Sequence, residues 1–257
     1  MSRKYSISII LPVYNEEGNI WKVIEDVANF LQNQDIFEKY EIIAVDDGSR
    51  DNTFKILREF QYKIPYLKVI SHHKNLGYGK ALVSGVKASR YSLVFFIDAD
   101  GQFNIRDINR MFTYFDVFDI ITGYRYKRKD VFYRIILGKF YSFLVFLLFG
   151  LSLKDINCGF KLFKREILNE ESIRCKNGAF YTEVLLKAKD RGYKIKEVPV
   201  EHFSRLSGKA TGANPRVILS SIIDLIMLRY LLRRSRVGTF DNAGGENEGR
   251  KIGINGL

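Results

Sequence analysis

Residues 93–102 read LVFFIDADGQ, a run of five apolar residues that ends in two aspartates, Asp98 and Asp100, on either side of Ala99. Short apolar runs rich in β-branched and aromatic residues, closed by turn formers, predict buried strands. The two carboxylates then stand at a strand's carboxyl end, which is where open α/β sheets bind their ligands. Carboxylates at i and i+2 share one hard cation well, because Mg²⁺ and Mn²⁺ take oxygen ligands from one or two carboxylates plus phosphate and water. A lone Asp-x-Asp is most often a solvated loop or a cap. Its position behind a buried strand, with Gly101 and Gln102 following, gives it weight.

The chain upstream repeats this plan. Ser6–Pro12 and Tyr40–Val45 read as strands, each followed by a helix pattern: Glu17–Gln32, then a helix capped by Asp51 and running to about Tyr62. Leu67–Ser71 is a third strand and Gly79–Ser89 a third helix. Repeated β-α-β units predict a mostly parallel sheet with helices on both faces. The residues after each strand are again chemical ones. Pro12 closes the first strand, Tyr14 offers a ring to stack on a base, and Glu16 offers a carboxylate. Asp46-Asp47-Gly48-Ser49 follows the second strand, where acids suit ribose hydroxyls or base N–H groups; a turn and a cap are the plain alternative. Lys80 opens the third helix, where an ammonium and a helix N-terminus together suit phosphate. His72 and His73 are adjacent on a strand and so face opposite ways, which argues for structural or loop contacts rather than a metal pair.

Composition sets the outer limits. The chain has 257 residues, 46% of them hydrophobic, enough for one large α/β domain with its own core. Lys and Arg number 41 against 29 Asp and Glu, and the net charge of +12 calls for an anionic partner. The two cysteines, Cys158 and Cys175, lie in no CxxC spacing, so neither a zinc site nor a disulfide framework is expected. Met1-Ser2-Arg3-Lys4 leads straight into the first strand, with no signal-type apolar helix. A nucleic-acid-binding module would account for the charge but leaves the acids at the strand ends without a purpose, so no nucleic-acid partner is expected.

Beyond a strand at Asp119–Thr122 the composition changes. From Arg125 onward come basic residues, then aromatic and aliphatic helices, then a strand at Lys194–Val200. Ile135–Leu153 is apolar but interrupted by Lys139, and its uninterrupted part is about half of the ~20 residues that span a bilayer. It reads as a buried or interfacial helix. Val217–Leu232 is a second apolar helix, with Arg229, Arg233, Arg234 and Arg236 at its end. The Gly- and Asn-rich stretch from about Gly238 has no periodicity, and 237–257 is expected to be a disordered tail.

Four segments taken in order, ILPVYNEE, VDDGSRDNT, NLGYGKAL and FFIDADGQ, resemble the nucleotide-binding half of family 2 glycosyltransferases. DINCGFKLF (155–163), FYTEVLLKAKDRGYKIKEVPV (180–200) and SRLSGK (204–209) extend the resemblance over residues 6 to 232. They are similar to the branch that holds dolichyl-phosphate mannose synthase and other polyprenyl-phosphate glycosyltransferases. The resemblance implies a GT-A, Rossmann-like fold: residues 1–125 would bind the nucleotide-sugar, and 126–236 would form the acceptor half of the same domain with interfacial helices. It implies that Pro12, Tyr14, Glu16 and Asp47 contact the nucleoside. Asp98, Asp100 and Gln102 would surround Mg²⁺ or Mn²⁺. Arg125 would lie near the donor phosphates, and Arg134 and Arg205 would hold a lipid phosphate. Where the family usually has serine four residues after Arg134, this chain has Gly138.

Acceptor chemistry points the same way. A sugar hydroxyl needs a general base, whereas a phosphate monoester with a second pKa near 6 is already ionised. Family members that extend polysaccharides usually carry a Glu-Asp base and a QxxRW motif. Here the nearest counterpart is Thr182-Glu183, and QxxRW is absent. The expected reaction is therefore inverting transfer of a hexose from GDP-mannose, UDP-glucose or a UDP-N-acetylhexosamine to a polyprenyl monophosphate. The expected place is the anionic cytoplasmic face of a membrane, as a peripheral protein. Transfer to a saccharide hydroxyl, or nucleotidyl transfer, are the alternative reactions.

Overall fold

A computed structural model describes residues 4–168, 173, 178–205, 207–208 and 219–232. Seven strands form one sheet: β1 (Tyr5–Val13), β2 (Phe37–Asp46), β3 (Leu67–Ser71), β4 (Leu93–Phe96), β5 (Ile120–Tyr126), β6 (Lys161–Lys164) and β7 (Ile195–Glu201). Their order is β3-β2-β1-β4-β6-β5-β7. Every neighbouring pair is parallel except the two that involve β6. Helices α1 (Ile20–Gln32), α2 (Thr53–Lys63) and α3 (Tyr78–Ala88) are the first crossovers. They are followed by α4 (Ile108–Phe112), α5 (Phe132–Phe149), α6 (Phe180–Asp190) and a helix at 219–232, α7. The result is the mixed α/β fold expected, mostly parallel with helices on both faces.

Two cores flank the sheet, as strands apolar on both faces require. One face of β1, β2 and β4 packs with α1 and α2 around Ile9, Leu11, Val23, Ile24 and Phe95. The other packs with α3, α5, α6 and α7 around Ile10, Phe96, Phe163, Phe180 and Leu225.

Four details differ from the sequence reading. Pro12 does not end the β1 ladder, because it pairs with Val45 and the strand runs on to Val13. Val13 accepts from Asp47 N, on the β2 side, so the alternate residue Pro12 turns its missing N–H toward β4, whose register with β1 stops at Phe96. Helix α1 starts at Ile20, since residues 16–19 form a turn in which Asn19 N and Ile20 N both reach Glu16 O. Strand β5 runs four residues past Thr122, which puts Arg125 inside the sheet, and β6 was not anticipated. The tail after residue 232, Cys175, and the ends of the 217–236 and 204–209 segments lie outside the described residues.

Candidate active site

The carboxyl ends of β1, β2 and β4 bring three of the sequence motifs together. Asn15 takes a left-handed φ of 54°; its N–H donates to Ser49 Oγ, and its Oδ1 accepts from Arg50 N. Glu16 N donates to Thr53 Oγ1, while Asp51 accepts from both Glu17 N and Thr53 N. The N-cap of α2 is Asn52 rather than Asp51, one residue on from the position read, and Asp51 is a staple between the two loops that also accepts from the helix's first N–H.

Asp98 accepts from the Tyr78 hydroxyl at 2.7 Å, and Tyr78 in turn shares a 3.1 Å contact with the Tyr181 hydroxyl. The carboxylate lies flat on Gly159, where an added Cβ would overlap its oxygens. Burial and the neighbouring Asp100 charge push Asp98 up to about 6. Asp100 is also raised, by burial first, with Arg205 opposing. Among the described residues no group of three or more His, Cys, Asp or Glu side chains stands ready to hold a metal. Asp98 and Asp100 stand there as a pair of carboxylates.

Gln102 turns its amide nitrogen onto Phe203 O at 2.9 Å, and Phe203 N donates back to Gln102 O. With the Phe103–His202 bridge, this short ladder carries the segment after β7 to the aspartates. Arg205 arrives there. It bonds Glu16 Oε1 and Ser207 O, and its Nη1 stands 3.7 Å from Asp100 Oδ2. Glu16 also accepts from Asn19, and burial raises its pKa despite Arg205.

Asp47, 3% exposed, is committed to protein partners. His72 Nδ1 lies 2.7 Å from Oδ1, Leu76 N donates to Oδ1, and Gly77 N donates to Oδ2. Its place is that of an organiser of the 72–77 loop, and His72, also bonded to Ser84, is part of that loop's frame. Beside it lies a cavity of about 270 Å³ lined by Asp46, Ser49, Arg50, Phe54, His73 and Lys74, among others. Pro12 is buried in β1, Tyr14 is half-buried in the loop, and Lys80 is half-buried in the first turn of α3.

A second cluster gathers behind the aspartates. Arg125 forks onto Asp155, Nε at 2.6 Å and Nη2 at 2.8 Å. Burial alone would lower its pKa, but this fork outweighs burial and holds the guanidinium above its usual value. Arg134 pairs with Asp130. Both arginines lie close enough to Asp100 to oppose its raised pKa. Glu183, by contrast, is 1% exposed and paired with Lys187 at 2.5 Å. Asp130, Asp155, Gly159, Tyr78 and Tyr181 were not singled out in the sequence. All but Asp130 nevertheless lie inside quoted motifs: Tyr78 in NLGYGKAL, Asp155 and Gly159 in DINCGFKLF, and Tyr181 in FYTEVLLKAKDRGYKIKEVPV.

The model of Glycosyl transferase family 2 matches residues 8–171. The chain belongs to that family. This glycosyltransferase is 30% identical over 245 residues to a dolichyl-phosphate beta-glucosyltransferase of Dictyostelium discoideum, covering 88% of the chain and 75% of that protein. It is 32% identical to a UDP-N-acetylglucosamine--dolichyl-phosphate N-acetylglucosaminyltransferase of Methanococcus voltae, over 87% of the chain and 96% of the relative. Among solved structures, the glycosyltransferase fold is similar to glucosyl-3-phosphoglycerate synthase from Mycobacterium tuberculosis, in a complex with Mn²⁺, UDP and glucosyl-3-phosphoglycerate. The TM-score is 0.69 at 19% identity, over 87% of this chain and 80% of that one. The likeness establishes the GT-A fold.

Proposed function

We propose that this glycosyltransferase moves a hexose from a uridine-diphosphate sugar to a polyprenyl monophosphate of the dolichyl type, with inversion. The observation that carries the reading is the pairing at the β4 end. Asp98 and Asp100 lie together there, Arg205 stands 3.7 Å from Asp100 with the Arg125 and Arg134 charges also acting on it, and the one Glu that sequence offered as a base is buried on Lys187. Such a site suits two phosphates, and Glu183, held by Lys187, is not placed as a base for a hydroxyl acceptor. The names of the relatives support the lipid phosphate, and that of the Methanococcus voltae protein supports a UDP donor.

Asp98 and Asp100 fit a divalent cation: both are half-buried, and burial raises both carboxyls, with each other's charge adding to it for Asp98. They would hold Mg²⁺ or Mn²⁺, and Gln102, its nitrogen occupied, would add its amide oxygen. When bound, the ion neutralises charge that develops on the leaving diphosphate. Tyr78 and Gly159 fix Asp98 so that little reorganisation accompanies the reaction. Tyr14 and the cavity beside Asp47 take the nucleoside; Pro12 and Asp47 shape that pocket from within. Lys80 stands at the α3 N-terminus for a phosphate oxygen. Arg125, locked on Asp155, contributes a fixed positive charge. Arg134 and Arg205 hold the acceptor phosphate and keep its attacking oxygen ionised.

The same reading places the enzyme peripherally on the cytoplasmic face of a membrane. Helix α5 is long and apolar enough to cross one, with 18 residues and mean hydropathy 1.7. Yet one face is bound to the domain: Tyr141 meets Thr182 and Gly178 O, and Val145 is buried. Its other face exposes Phe140, Phe143, Phe146 and Leu147, and α7 exposes Leu219, Ile223, Ile226 and Tyr230. A helix attached along one side and apolar along the other suits the interface plane.

The test offers UDP-glucose, UDP-N-acetylglucosamine and GDP-mannose in turn, each with a polyprenyl phosphate, the free alcohol and a soluble oligosaccharide. Product on the lipid phosphate alone is the expected result. Glycosylation of the oligosaccharide without the lipid phosphate would overturn the acceptor.

A further inference from the structure

The turn after β5 carries a guanidinium that the mechanism above leaves unused. Lys127, at a left-handed φ of 49°, bends the chain at the strand end, and Arg128 follows. Arg128 donates from Nε to Asp130 Oδ2 at 2.5 Å, while Arg134 occupies Oδ1 of the same carboxylate. The two guanidiniums are thereby set side by side. Nη1 of Arg128 lies over Gly138 of α5, where an added Cβ would stand only 2.8 Å away. Any larger residue at 138 must push the guanidinium aside.

The carboxylates here are shared. Asp155 takes the Arg125 fork, and Asp130 is divided between Arg128 on Oδ2 and Arg134 on Oδ1. Asp130 thereby holds Arg128 by Nε alone, and its two Nη groups have no hydrogen-bond partner among the described residues.

We propose that Arg128 is a further phosphate-binding residue of the acceptor site, seated on Gly138, where any side chain would displace it. The inference rests on the lipid-phosphate reading given above. A guanidinium gives a phosphate two hydrogen bonds in a plane and a full charge. Asp130 fixes the Nε side of Arg128 and leaves Nη1 and Nη2 for the phosphate beside Arg134.

The experiment measures KM for farnesyl phosphate and for the nucleotide sugar, with melting temperature, in the full-length chain. Arg128→Ala raises the acceptor KM about 10- to 100-fold and leaves the donor KM and melting temperature unchanged. Arg128→Lys recovers part of the loss. Gly138→Ala raises the acceptor KM in the same direction, and combining it with Arg128→Ala adds nothing further, because both act on one guanidinium. An unchanged acceptor KM in Arg128→Ala, with Arg134→Ala impaired, overturns the proposal and leaves the lipid-phosphate reading standing. A lower melting temperature with both KM values raised alike overturns it too, by making Arg128 a structural latch. If the unaltered enzyme uses neither farnesyl phosphate nor a long-chain polyprenyl phosphate, the underlying reading itself fails.

Discussion

Gly159 has no side chain, and Asp98 uses the space this leaves. Gly159→Ala is therefore expected to displace the carboxylate and cut transfer about 10²-fold or more, with nucleotide affinity in the absence of metal unchanged; equal activity would show that Asp98 is not held there. Asp100→Asn, and nearly as much Asp98→Asn, should lower the rate on the order of 10³-fold. Activity near that of the unaltered enzyme in EDTA would refute the metal assignment. His202 gives a pH prediction. Burial, then the Arg125 charge, lowers it to about 4. In the unfolded chain it titrates near 6.5, so between those values the unfolded state binds the additional proton. Stability from this group is present above about 6.5 and is lost as pH falls toward 4. Melting temperature measured across that window should drop, and the drop should be shallower in His202→Gln. An identical profile in the variant would remove His202 as its source.

At the scale of elements, α5 decides the most. Its composition alone left a buried and an interfacial reading open, and the structure buries only Tyr141 and Val145. Phe143 and Phe146 are 57% and 52% exposed. Replacing both with Asp should abolish pelleting with anionic vesicles while the melting temperature holds, since neither side chain packs in the core. Binding equal to that of the unaltered protein would leave this face without a membrane role. Strand β6 shows the opposite limit. It is four residues long with a lysine at each end, and period-based reading passes over it. Lys161 is nonetheless fully buried, bonded to Thr122 Oγ1 and stacked 4.9 Å from the Tyr181 ring. Only the antiparallel insertion of β6 between β4 and β5 supplies those partners.

Across the whole molecule, a net charge of +12 agrees with two anionic substrates and an anionic surface. A ligand that binds only the folded state raises its melting temperature in proportion to RT ln(1 + [L]/Kd). UDP with Mn²⁺ should therefore stabilise the protein more than UDP or Mn²⁺ alone, and more than GDP with Mn²⁺. A larger shift with GDP would reassign the base.

The sequence by itself determined the order of strands and helices through β4 and placed the acids at strand ends. Those are consequences of local hydrophobic periodicity and of turn chemistry within a few residues. It also determined the family, because the spacing of short motifs survives in one dimension. The tertiary structure alone decided which charges meet. Arg125, which the family resemblance sets near the donor phosphates, is forked onto Asp155, thirty residues away. Asp47, read as an open acceptor, is filled by His72, Leu76 and Gly77. Arg205 reaches Asp100 only because the 102–103 and 202–203 segments pair. An ion pair depends on distance in space and on burial, and neither is written in the local sequence of either partner.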